Sequence, residues 1–331
     1  MLHTDLCDRV GVALPIWNAG MGGGLAGVDL ATAVAEAGGL GVLGLGGLPE
    51  PLVREHIRQL RARTDRPFGV NLIMPLMDDE TVQCCFDERV PVLVLFWGDP
   101  APYVERAHAA GTLLVVQVGS AEQARQAAAA GVDAVMIQGL EAGGHNRGTA
   151  PLATVLPEVV DAVAPVPVVA AGGIADGQGV ASALAQGAQA VSLGTRFLAS
   201  DESLALDAYK QRIVQATPED TLLTTLFDVG WPDAPHRVLR NATVTAWEEA
   251  GSPPPGERPG EGDTVGTMAL AGARVPLPRY SISMPTVGFE GDLEDQVLYC
   301  GESCAAIHDV RPAADIVRDL VRDAEAAGAT A

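Results

Sequence analysis

Residues 127–148 read AAAAGVDAVMIQGLEAGGHNRG, and this stretch decides how the rest of the chain is interpreted. It runs from an alanine-rich helical segment through Gly131 into the apolar run DAVMIQG at residues 133–139. Glycine is a common residue just after a helix, because it adopts the left-handed backbone conformation without strain. The same joint recurs in AEAGGLGVLG, AHAAGTLLVVQ and LAQGAQAVSLG. The chain is therefore predicted to repeat one helix-to-strand unit.

Eight apolar runs are predicted to be strands, and they lie at residues 14–19, 40–46, 67–73, 91–96, 112–118, 133–139, 167–173 and 190–195. Helices are predicted between them at residues 26–37, 50–62, 99–110, 120–130, 177–186 and 202–215. The runs do not alternate strictly, which is typical of parallel strands buried on both faces. Eight such units predict an α/β fold, a (β/α)8 TIM barrel. A doubly wound sheet is the alternative, disfavoured by the count and by the lack of a G-x-G-x-x-G that opens a βαβ unit.

The pattern changes after about residue 216. Residues 251–263, GSPPPGERPGEGD, are rich in proline and glycine and predict an exposed loop. The flanking segments 237–249 and 275–285 look irregular, and helical periodicity returns at 311–327. We therefore predict three parts: a TIM barrel over 1–215, a smaller appended domain over 216–300, and a C-terminal helix within 301–331 that returns to the barrel.

Composition excludes several classes of function. The formal net charge is −21, which argues against binding to nucleic acid or to an anionic membrane surface. Lys210 is the single lysine and lies in a helical stretch, so Schiff-base chemistry is not expected. The five cysteines form neither a disulfide framework nor a zinc-ligand set, so no metal is predicted. A reducing cytoplasm is the expected location.

Glycines cluster where the predicted strands end, which is the face where barrel enzymes place their active sites. AGGIADG (171–177) follows the seventh strand and LGTRFL (193–198) ends the eighth. Either glycine group alone would equally serve a tight turn. Together on these two strands they predict a phosphate site built from backbone amides. Glycines also line the first and sixth loops, so the ligand is predicted to be large and flat, as FMN is. The barrel over 1–215 is then predicted to bind FMN, and the appended domain over 216–300 to cap the substrate.

Five motifs stand in order along the barrel: PIWNAGMGGG, FGVN, QGLEAGGHNRG, PVVAAGGIADG and SLGTRFL. In this ordered set the chain resembles the nitronate monooxygenases, formerly called 2-nitropropane dioxygenases. The likeness resumes in YCGESCAAIHDVRPAADIVRDLV near the C-terminus. The same set occurs in flavin-dependent enoyl-ACP reductases and in related NADH:quinone reductases. The resemblance therefore implies a fold and an FMN cofactor more firmly than it implies a reaction.

The resemblance also implies roles for individual residues. His145 matches the histidine that lies over the flavin as the catalytic base, and imidazole can accept a proton near neutral pH. Gly144 beside it leaves room for the flavin and substrate. Contacts to the flavin or its phosphate are implied for Gly20, Met21, Gly22, Ala171, Gly172, Gly173, Gly194 and Thr195. Three polar residues at strand ends, Asn71, Gln117 and Gln138, are further candidates for binding the cofactor. Gln117 departs from members that carry a lysine there, and Gln138 from those that carry an acidic residue.

Three functions follow from this interpretation. The first is an FMN-dependent oxygenase that oxidises alkyl nitronates with dioxygen to carbonyl compounds and nitrite. In it, His145 removes a proton from a neutral nitroalkane or hydrogen-bonds the bound nitronate. The second is a reductase that passes hydride from NAD(P)H through FMN to a quinone or enoyl thioester. The arginines of the appendage are dispersed, which favours the first. The third is a non-catalytic flavin-binding protein, against which the base-like His145 argues.

The remaining histidines are assigned by position. His236 is the second histidine that could reach the substrate, because it lies in the appendage. His3, His56, His108 and His308 fall in terminal or helical stretches and are expected to be solvated.

Overall fold

The repeated joint builds a closed barrel of parallel strands. The computed structural model describes residues 2–270 and 273–329. Labelled β1–β8 in chain order, the barrel strands span Ile16–Asn18, Gly41–Gly44, Phe68–Ile73, Val92–Phe96, Leu113–Val118, Ala134–Gln138, Val168–Ala171 and Ala190–Leu193. They pair in the order β1-β8-β7-β6-β5-β4-β3-β2, and each lies within two residues of its predicted run. The predicted TIM barrel is confirmed, and the doubly wound alternative is wrong.

The seam between β1 and β2 closes the barrel with few ladder hydrogen bonds. Trp17 forms an isolated parallel bridge with Leu40. The side chain of Asn18 adds to it: its amide nitrogen donates to the carbonyl of Val42 at 2.8 Å, and its oxygen accepts from the Val42 N–H at 2.9 Å. Asn18 is fully buried, so these bonds satisfy its amide where water cannot.

Helices surround the barrel. The first seven barrel helices, labelled α1–α7, span Val28–Glu36, Glu50–Arg61, Asp79–Asp87, Ala101–Ala110, Ala121–Ala130, Leu152–Val163 and Gly177–Ala185. The ends of the predicted helices lie within two residues of the observed ends, except at 202–215, where the observed helix begins only at Asp207. The segment before it is extended, because Leu204 accepts a hydrogen bond from the Val287 N–H and Ala205 bridges Thr286.

Two apolar layers make up the barrel core. Inside, one residue from each of several strands packs with its neighbours, as Trp17, Val92 and Met136 do. The N-terminal helix Asp5–Val10 packs its buried Leu6 against this inner layer. Outside, the strands and the surrounding helices share the largest apolar cluster. The barrel is therefore filled at its centre by the side chains of this inner layer.

The eighth barrel helix comes from the C-terminus. The helix Ala313–Ala326, labelled α8, packs against α7 and α1 and so occupies the place that should follow β8. The approach to α7 is close, because a Cβ added to Gly177 would lie 2.5 Å from the backbone nitrogen of Ala324. Between β8 and α8 the chain makes the additional segments described next.

Two small sheets lie outside the barrel. One pairs Thr221–Thr224, His236–Leu239 and Gly144–His145, and the other pairs Thr264–Leu270, Ala273–Pro278 and Glu290–Gly291. A helix, Ala242–Glu249, lies between them in sequence and is capped by the buried side chain of Asn241. The prediction that 237–249 and 275–285 are irregular is wrong. Both contain regular elements whose strand partners lie elsewhere in the chain, so no local period shows them.

The proline-rich segment 251–263 is mostly exposed, as predicted, but one residue in it is buried. Arg258 forms ion pairs with Asp228 at 2.8 Å and with Glu261. This paired arginine fixes the loop to the rest of the appendage. No helix among the described residues is long and apolar enough to cross a membrane.

Candidate active site

A cavity of about 800 Å³ lies at the carboxyl ends of the barrel strands, between the strand-end loops and the segments after β8. All of the residues that sequence analysis selected as site residues line this cavity. They are Gly20, Met21, Gly22, Asn71, Gln117, Gln138, Gly144, His145, Ala171, Gly172, Gly173, Gly194 and Thr195. The structure therefore brings the predicted set together, while the role of each residue remains a prediction.

The loop that carries His145 is held by amide side chains. The Gln138 amide donates to the His145 carbonyl at 3.0 Å and accepts from the Arg147 N–H at 3.1 Å. The buried Asn146 amide nitrogen lies 3.1–3.3 Å from three loop carbonyls, those of Gly139, Leu140 and Ala142. Gln138 was predicted to contact the cofactor, and the structure shows both ends of its amide engaged with the loop. Asn146 was not singled out, although its place beside the histidine was a usable signal.

The appendage extends this loop into a sheet. Gly144–His145 pairs antiparallel with His236–Leu239, with His145 opposite His236. His236 is fully buried; Nδ1 donates to the Ala234 carbonyl at 2.8 Å and Nε2 accepts from the Phe227 N–H at 3.2 Å. Both ring nitrogens are thus used by the backbone. His236 positions the strand beside His145, and the suggestion that it reaches the substrate is wrong.

His145 is surrounded by aromatic rings. Its ring stacks on Trp231, with centroids 4.2 Å apart and planes inclined by 25°, and Tyr299 lies 5.4 Å away. Burial, and to a smaller extent the neighbouring His236, lowers the pKa of His145 to about 3. Nε2 is buried without a hydrogen-bond partner among the described residues. Nδ1 likewise forms no hydrogen bond to a described residue, and the ring lines the cavity, so at neutral pH the imidazole is uncharged and can hydrogen-bond a ligand there.

The glycines after β7 and β8 form a cradle in the cavity, and those after β7 exclude side chains. Gly172 and Gly173 have φ values of 93° and 73°, where residues with a Cβ are strained. A Cβ on Gly172 would also lie 2.8 Å from the Cβ of Ala142. Thr195 accepts from the Gly301 N–H at 3.0 Å, which leaves its hydroxyl proton to donate. Backbone amides and one hydroxyl can therefore bind an anionic group here, and no lysine or arginine lines the cavity within the described residues.

Some polar side chains at the barrel mouth lack hydrogen-bond partners among the described residues. The Gln117 amide makes no hydrogen bond to any described residue, and the Ser192 hydroxyl is buried without a partner. Both line the cavity. Asn71 differs, because its amide donates to the Val94 carbonyl at 3.2 Å, and its side chain leaves room only for a glycine at position 20. A cofactor with several hydrogen-bonding atoms, as FMN has, would satisfy the free groups.

Several cavity residues were missed by sequence analysis. Trp231, Ile282, Met284 and Tyr299 come from the segment after β8 and give the cavity an apolar, aromatic wall. Their strands and loops had no visible period, so nothing local indicated that they face the site. His56 was expected to be solvated, but it is half-buried on α2 and lines the cavity, so that expectation is wrong.

The lowered pKa values of His145 and His236 predict a pH-dependent stability. Burial also lowers the pKa of His236 from 6.5, so folded protein holds both rings neutral where unfolded chain takes up protons. The free energy of unfolding should therefore fall as pH drops below 6.5, by up to about 1.4 kcal/mol per pH unit for each histidine. Denaturant melts between pH 6.5 and 5 should show a shallower slope for His236→Gln than for wild type and for the control His308→Gln, which is exposed and forms no ion pair with a described residue. Equal slopes in all three proteins would contradict the prediction.

Comparison with known proteins agrees with this geometry. The model of the nitronate monooxygenase family matches residues 3–81 and 76–323, which include all of the barrel loops that line the cavity. The chain belongs to the nitronate monooxygenase family. The predicted resemblance is thereby confirmed, and the coarse assignment as an oxidoreductase of the FMN type is supported.

The proteins that are similar to this chain carry different names. A Mycobacterium tuberculosis protein is 40% identical over 252 residues, covering 75% of this chain and 69% of its own length. It is named (3aS,4S,5R,7aS)-5-hydroxy-7a-methyl-1-oxo-octahydro-1H-indene-4-carboxyl-CoA dehydrogenase. A probable nitronate monooxygenase of Bacillus subtilis is 33% identical over 267 residues, covering 68% of this chain and 77% of the relative.

Solved structures match over nearly the whole chain. FabK from Thermotoga maritima is 32% identical with a TM-score of 0.79, and the match covers 99% of this chain and 98% of that one. Nitroalkane oxidase from Streptomyces ansochromogenes is 30% identical with a TM-score of 0.79 and covers 98% of both chains. The matches extend beyond the barrel, so both the barrel and the segments after β8 have counterparts in these proteins.

Proposed function

We propose that the cavity binds FMN. The glycine cradle of Gly172, Gly173 and Gly194 would hold the phosphate through backbone amides, with the Thr195 hydroxyl as a further donor. At the barrel mouth, the free amide of Gln117 and the unpartnered hydroxyl of Ser192 would bond the flavin end. Bound FMN supplies electron transfer between an organic substrate and dioxygen.

We further propose that this member oxidises alkyl nitronates with dioxygen to carbonyl compounds and nitrite. The observation that carries the proposal is the state of His145. Its uncharged ring lines the cavity and neither ring nitrogen hydrogen-bonds a described residue, so the ring can donate a hydrogen bond to a nitronate oxygen. Similarity to a nitroalkane oxidase over 98% of the chain supports the same substrate class.

The lowered pKa of His145 favours one of the two roles expected for it. A ring whose pKa is about 3 is a weak base, so it removes protons from neutral nitroalkanes poorly near pH 7. The same ring can hold an already deprotonated nitronate through a hydrogen bond. Trp231 and Tyr299 cover it and keep water away, which strengthens that bond. We therefore propose the nitronate, rather than the neutral nitroalkane, as the form that reacts.

An acyl thioester is the second candidate substrate. The relative with 40% identity is named as a dehydrogenase of a carboxyl-CoA compound, and the chain is also similar to FabK. The apolar wall formed by Trp231, Ile282 and Met284 would suit a bulky hydrocarbon group. In this case FMN would exchange electrons with an acyl group, or with NAD(P)H, instead of passing them from a nitronate to dioxygen.

Anaerobic mixing distinguishes these candidates. We expect the purified protein to be yellow and to release FMN on denaturation. Under nitrogen, ethylnitronate should bleach or redden the bound flavin at least about tenfold faster than NADH or NADPH at equal concentration. Rapid bleaching by a nicotinamide nucleotide or by an acyl-CoA, with no response to the nitronate, would replace the oxygenase proposal with the second candidate. A colourless protein that does not bind added FMN would contradict both.

A further inference from the structure

Arg147 is a charged side chain without a charged partner. No carboxylate among the described residues forms an ion pair with it, and its guanidinium makes no hydrogen bond to them. The arginines of the appendage differ in this respect, since Arg237, Arg258 and Arg279 are each paired with an acid. The nearest carboxylate in sequence, that of Glu141, is engaged by the Leu152 N–H at the start of α6.

The position of Arg147 connects it to the active site through a chain of rings. Its guanidinium lies 5.1 Å from the centre of the Trp97 ring. Trp97 packs edge-on against Trp231 at 5.0 Å, and Trp231 stacks on His145 at 4.2 Å. Phe96, which lines the cavity, lies 5.2 Å from Trp97. Arg147 therefore lies beside Trp97, next to the cavity-lining residues Phe96 and Trp231, but does not itself line the cavity.

The backbone fixes this arginine in place. Its N–H is bonded to Gln138, and a Cβ added to Gly119 would lie 1.8 Å from its carbonyl oxygen, so the two segments are in close contact. Trp97, beneath the guanidinium, has a φ of 67°, a conformation that a bulky residue rarely adopts. Backbone strain of this kind is concentrated at binding and catalytic sites. Both the cation and the ring that supports it are thus pre-positioned.

Half-burial without a partner is unfavourable for a guanidinium. Burial alone lowers the pKa of Arg147, and no neighbouring acid opposes that shift. A guanidinium that rests on an indole face still presents its N–H edge, which matches the two oxygens of a carboxylate or phosphate. The rest of the protein repels anions, with a net charge of −21, and no arginine or lysine of the described residues lines the cavity itself.

We propose that Arg147 binds an anionic group, a carboxylate or a phosphate, on the distal end of the substrate. The inference rests on the proposed function, because it assumes that the reacting end lies at His145. The substrate would then be an apolar chain or ring that reaches from His145 past Trp231 and ends in an acid. Arg147 is in this view a residue that determines specificity and takes no part in electron or proton transfer.

Binding of unreactive six-carbon probes tests the proposal without turnover. Dissociation constants for hexanoate, hexyl phosphate and 1-hexanol would be measured by calorimetry on the FMN-loaded protein. Wild type should bind at least one anion about tenfold or more tighter than hexanol, as expected for a charge-assisted hydrogen bond. Arg147→Gln should remove this preference without changing hexanol affinity more than about twofold, and Arg147→Lys should retain part of it.

A matched control is available at the opposite end of the barrel. Arg66 is exposed, also lacks an ion pair, and lies beside Pro67 before β3, so Arg66→Gln removes the same charge far from the cavity. The control should keep the full preference for the anion.

No preference in wild type, or equal loss in Arg66→Gln and Arg147→Gln, would overturn the proposal. The anion that wild type prefers identifies the source: hexanoate indicates a free acid, and hexyl phosphate a substrate that carries a nucleotide or another phosphate. Because no probe reacts, a failure of nitronate turnover leaves this result unaffected.

Discussion

Replacing Gly172 with alanine should leave a folded protein that has lost about 100-fold in affinity for FMN. Two effects combine. The φ of 93° costs a residue with a Cβ about 1–2 kcal/mol, and the new methyl group would meet Ala142 at 2.8 Å. The cradle must then move, and a displaced amide forfeits a hydrogen bond to a charged phosphate worth about 1.5–3 kcal/mol. Quenching of flavin fluorescence on titration with apoprotein measures the dissociation constant.

Gly111→Ala is the matched control for this substitution. Gly111 ends α4 with a φ of 75°, and an added Cβ would find no atom within 4 Å. The control should therefore lose stability from the same backbone strain but keep its affinity for FMN. If Gly172→Ala binds FMN as tightly as Gly111→Ala does, the phosphate lies elsewhere, and the proposal that the glycine cradle holds it is wrong.

Replacing His145 with phenylalanine should lower kcat/KM for a nitronate by about 10²–10³-fold while FMN remains bound. Phenylalanine preserves the stack on Trp231 but has no N–H, and removing one preorganised hydrogen-bond donor to a developing or bound oxyanion has about this effect. His145→Gln, which restores a donor, should recover part of the loss. Steady-state oxygen consumption with ethylnitronate provides the measurement, and His108→Phe on α4 serves as a control with wild-type rates.

The pH profile separates hydrogen bonding from base catalysis at His145. Because its pKa is lowered to about 3, kcat/KM for the nitronate should show no inflection from this group between pH 5 and 8. His145→Phe should also lose similar factors on nitroethane and on ethylnitronate. A limb with an apparent pKa near 6.5, or a loss confined to nitroethane, would show that His145 acts as a base, and the proposed preference for nitronate would be wrong.

The barrel could be predicted from the sequence because each helix-to-strand unit lies within one short stretch of the chain. Gly131, with a φ of 94°, ends α5 and leads within a few residues into β6, so one short window contains both the helix stop and the strand. The site residues of the barrel follow from the same logic, since they lie where strands end. Their approximate position was therefore predictable, even though the bonding of Gln138 and Asn71 was not.

The segments after β8 were not predictable for the opposite reason. The two-residue strand Gly144–His145 exists only because His236–Leu239 pairs with it from about 90 positions further along the chain. Trp231 has no periodic neighbours that would place it on a helix or strand, yet it forms the closest ring contact of His145. Such pairings between distant segments leave no local pattern, so the ring contacts of His145, with Trp231, His236 and Tyr299, could be found only in three dimensions.

The late arrival of α8 has a consequence for biosynthesis. The helix that fits between α7 and α1 is separated from β8 by roughly 120 residues, which a ribosome adds in about 6–24 s at typical rates. During that interval all eight strands are already made, but the ring of helices has a gap through which the apolar flank of α1 is exposed. The nascent chain is therefore a candidate client for chaperones that bind apolar segments. Pausing of the ribosome while it translates the appendage would lengthen the time for which the apolar flank of α1 is exposed.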